Sequence, residues 1–529
     1  MGRARNVDGI HSDAVVLQAA DQRALDQASY VAGVPHGALM ESAGRAAAEW
    51  ILEHVRPHRV LCVAGPGGNG GDALVVARCV ADAGVDVRVL LLTEPDGLSS
   101  MTAEMLTRLE PLSISVRSLA ELGPEERTEI LAWPTHIVDG LFGSGLNRPL
   151  SDDIVELVER IDETDALLIS LDVPSGVHAD GGVDARGSLT AQITLAMEFL
   201  KPAHLLYPAA GQCGNTAIVR VDYPEEQRSL VSPWAVVPTH DSTWTRLPAR
   251  MATGHKGSFG RVLVVAGSPG MTGAAVLACQ GALRAGAGLV YLASPDSLRP
   301  VYQTALPEII CVSWPGEPAS DGVMSFDACH EIADVVAVGP GLGRSRSVEP
   351  MMHDLVTDYD GPLVVDADGL TPLGTVPALL DRLSGRAILT PHPGEMSRLI
   401  NRSSAEIDRC RRDVAAEFAA KHGVVTLLKG LPTIVAVPGE PPVANPTGHH
   451  GLGTGGSGDV LTGLISGLLA GGCALGDSAV SAAYLHGLAA EIFSRDRAAR
   501  SLTPGDLIEL IPYAFGEIEP RRHEAADRR

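Results

Sequence analysis

Apolar positions fall into two kinds of pattern along the chain. Residues 14–55 carry them at helical spacing, most clearly in "ALMESAGRAAAEWILEHV", which predicts amphipathic helix. The next stretch, "RVLCVAGPGGNGGDALVVARCVADAG", reads as a short apolar strand, a glycine loop and a helix. "VDVRVLLL" predicts a strand, and "HIVDGLFGSGL" and "ALLISLDVPSG" each predict a strand running into a loop. Strands alternating with helices imply a parallel sheet with crossover connections. The pattern fades after "NTAIVRVDYP", and residues 224–245 show no period beyond a short edge element. A second set of strands, glycine loops and helices opens at "RVLVVAGSPGMTGAAVLACQGALRAGAGLVYLASP". It continues through "VVAVGPGLG", "PLVVDADGL", "AILTPHPGE" and "VVTLLKG" to the helices of 459–496. The expectation is two α/β domains, 1–222 and 246–520, joined by a linker at 223–245. Residues 1–12 are expected to be loose and the charged tail 521–529 disordered.

Bulk properties narrow the function. A chain of 529 residues has room for two or more domains. A hydrophobic content of 45% supports real cores, and with only 4% aromatics the small residues suit helices laid closely on sheets. The formal charge of −23 excludes the basic footprint that nucleic acid or an anionic membrane requires. None of the eight cysteines forms a CxxC pair, so neither zinc nor a disulfide framework is expected; they read as small buried hydrophobes in a reducing compartment. The first residues lack an apolar signal region, and the longest uncharged stretch, Val460 to Gly476, falls short of the ~20 apolar residues of a spanning helix. The expectation is a soluble cytoplasmic enzyme acting on small molecules, with no nucleic-acid or membrane partner; a homo-oligomer is left open.

Candidate chemistry collects at predicted strand ends, which a parallel sheet gathers along one rim. In "TGGSGDVLTG" the loop Thr454–Gly458 precedes a helix expected to start near Asp459. Free amides and a positive dipole end would meet a phosphate there, with Asp459 placed to accept a hydroxyl proton. "LLKGLPTIV" sets Lys429 at a strand end, followed by Gly430 and Thr433; "LTPHPGEMSRL" sets His392 and Glu395 on a stiff loop. "VVDADGL" adds Asp366 and Asp368, and "VGPGLGR" adds Gly339, Gly341 and Gly343. Each alone is readable as structural; four or five in succession read as a site.

These motifs, with "HKGSFGR" and "TGGSGDVLTGLISGLLA", resemble the ADP-dependent NAD(P)H-hydrate dehydratase domain in order and over nearly all of 246–495. The resemblance implies a ribokinase-like fold, a hydrated nicotinamide cofactor as substrate, and ADP with Mg2+. It implies hydrate contacts at Ala274, Gly341, His392 and Asp459, and nucleotide contacts at Lys429, Gly430, Leu431, Pro432, Thr433, Gly456 and Gly458. Asp459 would deprotonate or orient the C6 hydroxyl. One departure is Leu452-Gly453, where the family usually reads Met-Ala.

"AGPGGNGGDALVVAR", "VDGLFGSGLNRP" and "LDVPSGVHADGG" resemble the NAD(P)H-hydrate epimerase domain. That implies a Rossmann-like three-layer α/β/α sandwich and a K+ site at Asn69, Asp139 and Ser175. Hydrate contacts would be Gly68, Asn69, Gly70, Gly71 and Asp72, then Gly143, Ser144, Gly145, Leu146, Asn147, Arg148 and Pro149, then Asp172 as the proton-handling group. Lys201 matches a recurrent family lysine. Gly68, Ala73, Ser42 and Gln192 depart from the family's usual asparagine, glycine, asparagine and aspartate. The resemblances together imply epimerisation of NADH and NADPH hydrates and ADP-dependent dehydration of the S form. Two other readings stay open: a ribokinase-like small-molecule kinase, and a dehydratase with a non-catalytic N-terminal domain.

Overall fold

A computed structural model describes residues 12–146, 148–184, 186–313, 326, 329–343 and 348–520. The chain divides into two compact units, one holding Ala14–Trp234 and the other beginning at Ala235. The N- and C-terminal stretches expected to be loose, 1–11 and 521–529, lie outside the described residues.

The first unit is built on a fully parallel seven-stranded sheet. In spatial order its strands are Ser115–Ser118, Asp86–Leu91, Arg59–Ala64, His136–Gly140, Leu167–Leu171, Ile193–Met197 and Asn215–Val219. Both faces are covered. Along Arg59–Ala64, Val60, Cys62 and Ala64 pack into one apolar cluster, while Leu61 and Val63 pack into another. A strand buried on both sides reads as a continuous apolar run rather than an alternating one, and "VLCVA" has that form. The first strand of this sheet, Arg59–Ala64, lies inside it, between Asp86–Leu91 and His136–Gly140. Chain direction therefore reverses beside it, and the loops after Ala64 and Gly140 part to leave the crevice where such sheets bind ligands.

The second unit holds a mixed sheet. Its parallel core runs Val425–Leu428, Ala387–Leu389, Leu363–Val365, Val335–Val338, Arg261–Val265, Leu289–Ser294 and Ile310–Ser313. On the other side of Val425–Leu428, Thr433–Ala436 and then Val443–Asn445 pair antiparallel. The sequence pattern had implied parallel strands throughout. The four residues Lys429–Pro432 are too few for a crossover, which needs a dozen or more, so the chain turns back as a hairpin. Here the switch point lies at Arg261–Val265, between Val335–Val338 and Leu289–Ser294.

The stretch 223–245 contains a helix Glu225–Ser229, a strand Ala235–Val237 and a helix His240–Arg246. The last of these is capped by the Thr239 hydroxyl, which accepts from the Ser242 N–H. All eight cysteines are free, and five are buried. Cys410 is exposed, unlike the buried hydrophobe expected. Among the described residues no helix is long and apolar enough to cross a membrane.

The helix Ser457–Ala470 packs on Thr272–Arg284 in the core of the second unit. The contact is made at Gly463, where a Cβ would lie 2.0 Å from the Ala278 carbonyl oxygen. We expect Gly463→Ala to push these helices apart and to cost about 1–3 kcal/mol of stability. Thermal unfolding of the variant would check this; an unchanged Tm would mean the helices have room to spare.

Candidate active sites

In the first unit, a cavity of about 520 Å3 runs along five consecutive strand ends, from the loop after Ala64 to Tyr223. Of the residues expected to contact the hydrate, Gly68, Asn69, Asp72, Gly143, Ser144, Gly145, Leu146, Arg148 and Asp172 line it. Gly70 and Gly71 are buried inside the first turn of the helix Gly68–Asp82, and Pro149 is exposed outside the cavity. Asn147 lies outside the described residues. The helix N-terminus at Gly68 presents free amides to the cavity.

Asp172 is the most constrained group here. Its φ is +64°, a left-handed conformation that costs a non-glycine residue on the order of 1–3 kcal/mol. The strain is held by bonds around it: Asp172 N–H donates to the Leu195 carbonyl at 2.8 Å, and the His204 imidazole bonds the Asp172 carbonyl at 2.8 Å. The carboxylate accepts the Ser144 N–H at 2.9 Å, and Lys201 Nζ lies 2.5 Å from its other oxygen. Burial pushes the Asp172 carboxyl up, but the Lys201 ammonium, the Ser144 amide and His204 together hold it below its ordinary value. Asp72 faces the opposite fate. Burial first, then the charges of Asp172 and Asp26, push it well above the usual carboxylate range.

Beneath the cavity, Asp139 is completely buried. It accepts bonds from the Ser175 hydroxyl (2.6 Å), the Ser170 hydroxyl (2.8 Å), and the Ser175 (2.9 Å) and Leu141 (3.1 Å) amides. All these donors are neutral, and burial pushes the Asp139 carboxyl up despite them. Asn69 stands against the same loop, its Oδ1 3.1 Å from where a Gly143 Cβ would be, and its Nδ2 is buried without a partner.

The sequence departures are absorbed locally. The Ser42 hydroxyl accepts the Asp222 amide, Gln192 Oε1 accepts the Leu168 amide, and Ala73 is buried in its helix. Only Gly68 among the four reaches the cavity wall. Gln22, Arg23, Asp26, Tyr30 and Tyr223 also line it, and sequence reasoning missed them. The first four sit on an amphipathic helix with no motif; Tyr223 sits at the edge of the presumed linker.

In the second unit the helix begins at Ser457, two residues before the expected Asp459, with Gly456 at its N-cap and φ +98°. That backbone suits glycine, and it leaves Asp459 in the first turn. The glycine loop meets a buried ion pair: Lys429 Nζ lies 2.6 Å from Asp366 Oδ1, and a Cβ on Gly458 would stand 3.4 Å from the same ammonium. The Thr462 hydroxyl, one helical turn on, donates to the second Asp366 oxygen at 2.7 Å. Burial pushes Asp366 up, yet Lys429 and the Thr462 and Thr390 hydroxyls hold it below its ordinary value. Asp459 has no such support. Burial, then the charges of Asp366, Asp368 and Glu395, outweigh Lys429 and push it up to about 6.

The remaining expected residues lie around this pair. Glu395 Oε2 is 4.0 Å from Lys429 Nζ and also accepts the His392 N–H at 2.8 Å. His392 itself is half-exposed, with Nε2 3.4 Å from Glu395 Oε1. Gly341 and Ala274 abut, a Cβ on the glycine falling 2.9 Å from the Ala274 methyl. The loop Lys429–Pro432 is fixed by Arg411, whose guanidinium donates to the Lys429 carbonyl at 2.6 Å and the Pro432 carbonyl at 3.2 Å. Thr433 closes it by donating to the Gly430 carbonyl at 3.0 Å, while Leu431 is exposed at its tip. Arg411 and Thr462 escaped sequence reasoning, since one reads as a surface charge and the other as a spacer in an apolar helix.

Two α/β units, each with a glycine-capped helix and buried carboxylates on its strand-end rim, define an enzyme with two separate sites. A family model described as YjeF-related protein N-terminus matches residues 36–203, and one described as NAD(P)H-hydrate dehydratase matches 262–513. The chain is 35% identical over 524 residues to the bifunctional NAD(P)H-hydrate repair enzyme Nnr of Moorella thermoacetica, covering 95% of this chain and 97% of that protein. It is 35% identical over 494 residues to the enzyme of that name from Thermofilum pendens, covering 91% and 92%. Among solved structures it is similar to the ADP/ATP-dependent NAD(P)H-hydrate dehydratase of Bacillus subtilis co-crystallised with ATP/Mg2+, at 32% identity. That match covers 53% of this chain and 98% of the other, with a TM-score of 0.46. The chain belongs to the family of bifunctional NAD(P)H-hydrate repair enzymes.

Lys201 is fully buried and is the countercharge of Asp172. Lys201→Met keeps the bulk but strands the carboxylate, and we expect a loss of about 3–5 kcal/mol. Denaturant unfolding would read this; a small change would mean that Asp172 can find water or another cation.

Proposed function

We propose that the first unit interconverts the R and S hydrates of NADH and NADPH at C6, and that the second dehydrates the S form at the expense of ADP. The observation that carries this reading is that each family match falls on a unit whose rim holds chemistry suited to it. The epimerase-type unit pairs a carboxylate held below its ordinary value with one pushed well above it. The dehydratase-type unit sets a basic carboxylate in a phosphate-binding helix turn.

In the first unit the C6 carbon bears both the ring nitrogen and the hydroxyl, so it can open or ionise and close again from either face. Asp172, held below its ordinary value, accepts the proton, and Asp72, pushed well above its own, donates one. Free amides of the first turn at Gly68 and Asn69 and the Arg148 side chain meet the phosphates. Asp139 fits a bound potassium ion, because its buried charge has only neutral partners; Asn69 and Ser175 complete an oxygen-rich set around it. Potassium there would supply the missing countercharge and fix the loops that shape the cavity.

In the second unit Asp459 takes the proton of the C6 hydroxyl as that oxygen attacks the terminal phosphorus of ADP, releasing AMP. Amides of Gly456 to Gly458 and the Lys429 ammonium stabilise the charge of the transferred group. Phosphate then leaves C6, a proton leaves C5, and the ring double bond returns. Lys429 to Thr433 form the nucleotide loop, and Ala274, Gly341 and His392 border the hydrate. Magnesium suits Asp368 and Glu395, two carboxylates near Asp459, since it binds through one or two carboxylates plus substrate phosphates; when bound it neutralises phosphate charge. Free cysteines and the acidic surface support a reducing, cytoplasmic setting.

A mixture of both hydrate epimers with ADP, Mg2+ and K+ tests the whole reading. We expect complete recovery of the reduced nicotinamide absorbance, faster than spontaneous epimerisation. Recovery that stalls at the S fraction would make the first unit a binding domain, and a stable phosphorylated product would make the second a kinase.

Asp459→Asn isolates the proton step. We expect dehydration to fall by about 10²–10⁴-fold with nucleotide binding retained. In the unmodified enzyme the rate should fall as pH drops through about 6, where Asp459 gains a proton, and level off above it. Full activity in the variant, or a flat profile between pH 5 and 7, would remove Asp459 from that role.

A further inference from the structure

One end of the first unit's cavity is built from residues that do not themselves carry the transferred protons. There the helix Ala19–Val31 presents Gln22 and Asp26, and the chain beyond the last strand presents Tyr223. The Tyr223 hydroxyl donates to Asp26 Oδ1 at 2.5 Å. Gln22 Nε2 donates to the Met197 carbonyl at 3.3 Å, which fixes the nitrogen end of that amide. The oxygen end, Gln22 Oε1, is buried with no partner. Among the described residues no donor reaches the second Asp26 oxygen. The Gln22 side chain also hydrogen-bonds Tyr223, so the cluster spends its donors internally and offers acceptors. Gln22 Oε1, buried and unpaired, is costly to leave so, and the half-buried Asp26 carboxylate beside it has an oxygen to spare, so the ligand that belongs there brings N–H or O–H groups.

We infer that Gln22 and Asp26 are the receptor for the carboxamide of the nicotinamide ring: its two N–H bonds go to Gln22 Oε1 and the free Asp26 oxygen, and Tyr223 braces Asp26. The inference rests on the epimerisation reading of this cavity and adds what orients the ring within it. Position supports it. The helix N-terminus that suits phosphates and the Tyr223 end lie at opposite extremes of the rim, with Asp172 between them. A ring anchored at Tyr223 reaches back over Asp172 toward the phosphates. Stoichiometry supports it too, because one amide nitrogen carries two hydrogens for two acceptors, whereas the C6 hydroxyl carries one. Met197 and Val221 line the same end with apolar surface suited to a ring. Burial pushes the Asp26 carboxyl up, against the pull of Tyr223, Lys201 and Arg23, and a ligand N–H would ease that cost. Asp26 also makes the site selective, since a ring bearing a carboxylate would set like charge against it.

The test compares epimerisation of NADH hydrate with that of its deamido counterpart, whose ring carries a carboxylate. The full-length wild-type enzyme should prefer the amide by about a hundredfold or more in kcat/KM. Asp26→Asn replaces the free acceptor with an N–H donor. We expect KM for the amide to rise about tenfold to a hundredfold and the preference to shrink or invert toward the carboxylate; kcat should fall alike for both substrates, because the Asp26 charge also helps push Asp72 up. Tyr223→Phe, which keeps the ring volume, should raise KM for the amide several-fold without inverting the preference. A merely structural role would lower both substrates together. An unchanged preference in Asp26→Asn, or none in the wild type, overturns the inference while leaving epimerisation standing. If the wild type does not interconvert the epimers, it is the epimerisation reading that fails. Calorimetric binding of nicotinamide mononucleotide against its deamido form, wild type against Asp26→Asn, then decides: a preference lost in the variant supports the amide receptor, and equal binding overturns it.

Discussion

Both sites depend on one constraint: a carboxylate taken out of water must be given a countercharge or must take up a proton. Each rim meets it with a single lysine. Lys201 holds Asp172 and Lys429 holds Asp366, at 2.5 and 2.6 Å. The lysines do not serve every carboxylate in reach. Asp72 and Asp459, a few residues into helices that start with glycine, are left without a cation of their own and are pushed up. Each site thereby sets side by side one carboxyl group held below its ordinary value and one pushed above it, which is the separation that moving a proton requires. The glycine-rich sequences make this arrangement reachable, because they bring the helix ends and backbone amides in against the charged groups.

Much of this was legible in the chain. Alternating strands and helices gave two α/β units, and glycine loops at strand ends marked both rims. Asp172 and Lys429 stood out because each follows an apolar run directly, so topology alone carries it to the rim; Asp459 stood out because it follows the glycine loop that opens a helix. What stayed hidden came from elements without a motif. Asp26 and Gln22 lie on a helix whose pattern only says that one face is buried. Tyr223 reaches the cavity because the last strand lies beside Ile193–Met197, a neighbour relation that local sequence does not express. Thr462 looked like a polar interruption in an apolar helix, yet it is the residue that turns toward Asp366. The hairpin at Lys429–Pro432 was legible in principle, since four residues cannot make a crossover, but the regular run of parallel strands before it argued the other way.

The two sites use the same parts differently, and the difference matches their reactions. In the first unit the lysine pairs with Asp172, the proposed proton acceptor. Asp172 is then held below its ordinary value, while burial pushes the partner carboxyl, Asp72, well above its own. A reversible inversion suits this division, because acid and base exchange roles with the direction of travel and neither needs to be tuned to the solution. In the second unit the lysine pairs with Asp366, one step removed from the reacting group. Its charge is largely spent there, so Asp459 sits near 6 and half-buried. A base so placed is strong enough to take a hydroxyl proton at neutral pH and close enough to the phosphate-binding turn for proton loss and phosphoryl transfer to be one event. Moving the lysine's partner by one carboxylate thus converts a fixed acid–base pair into a poised base.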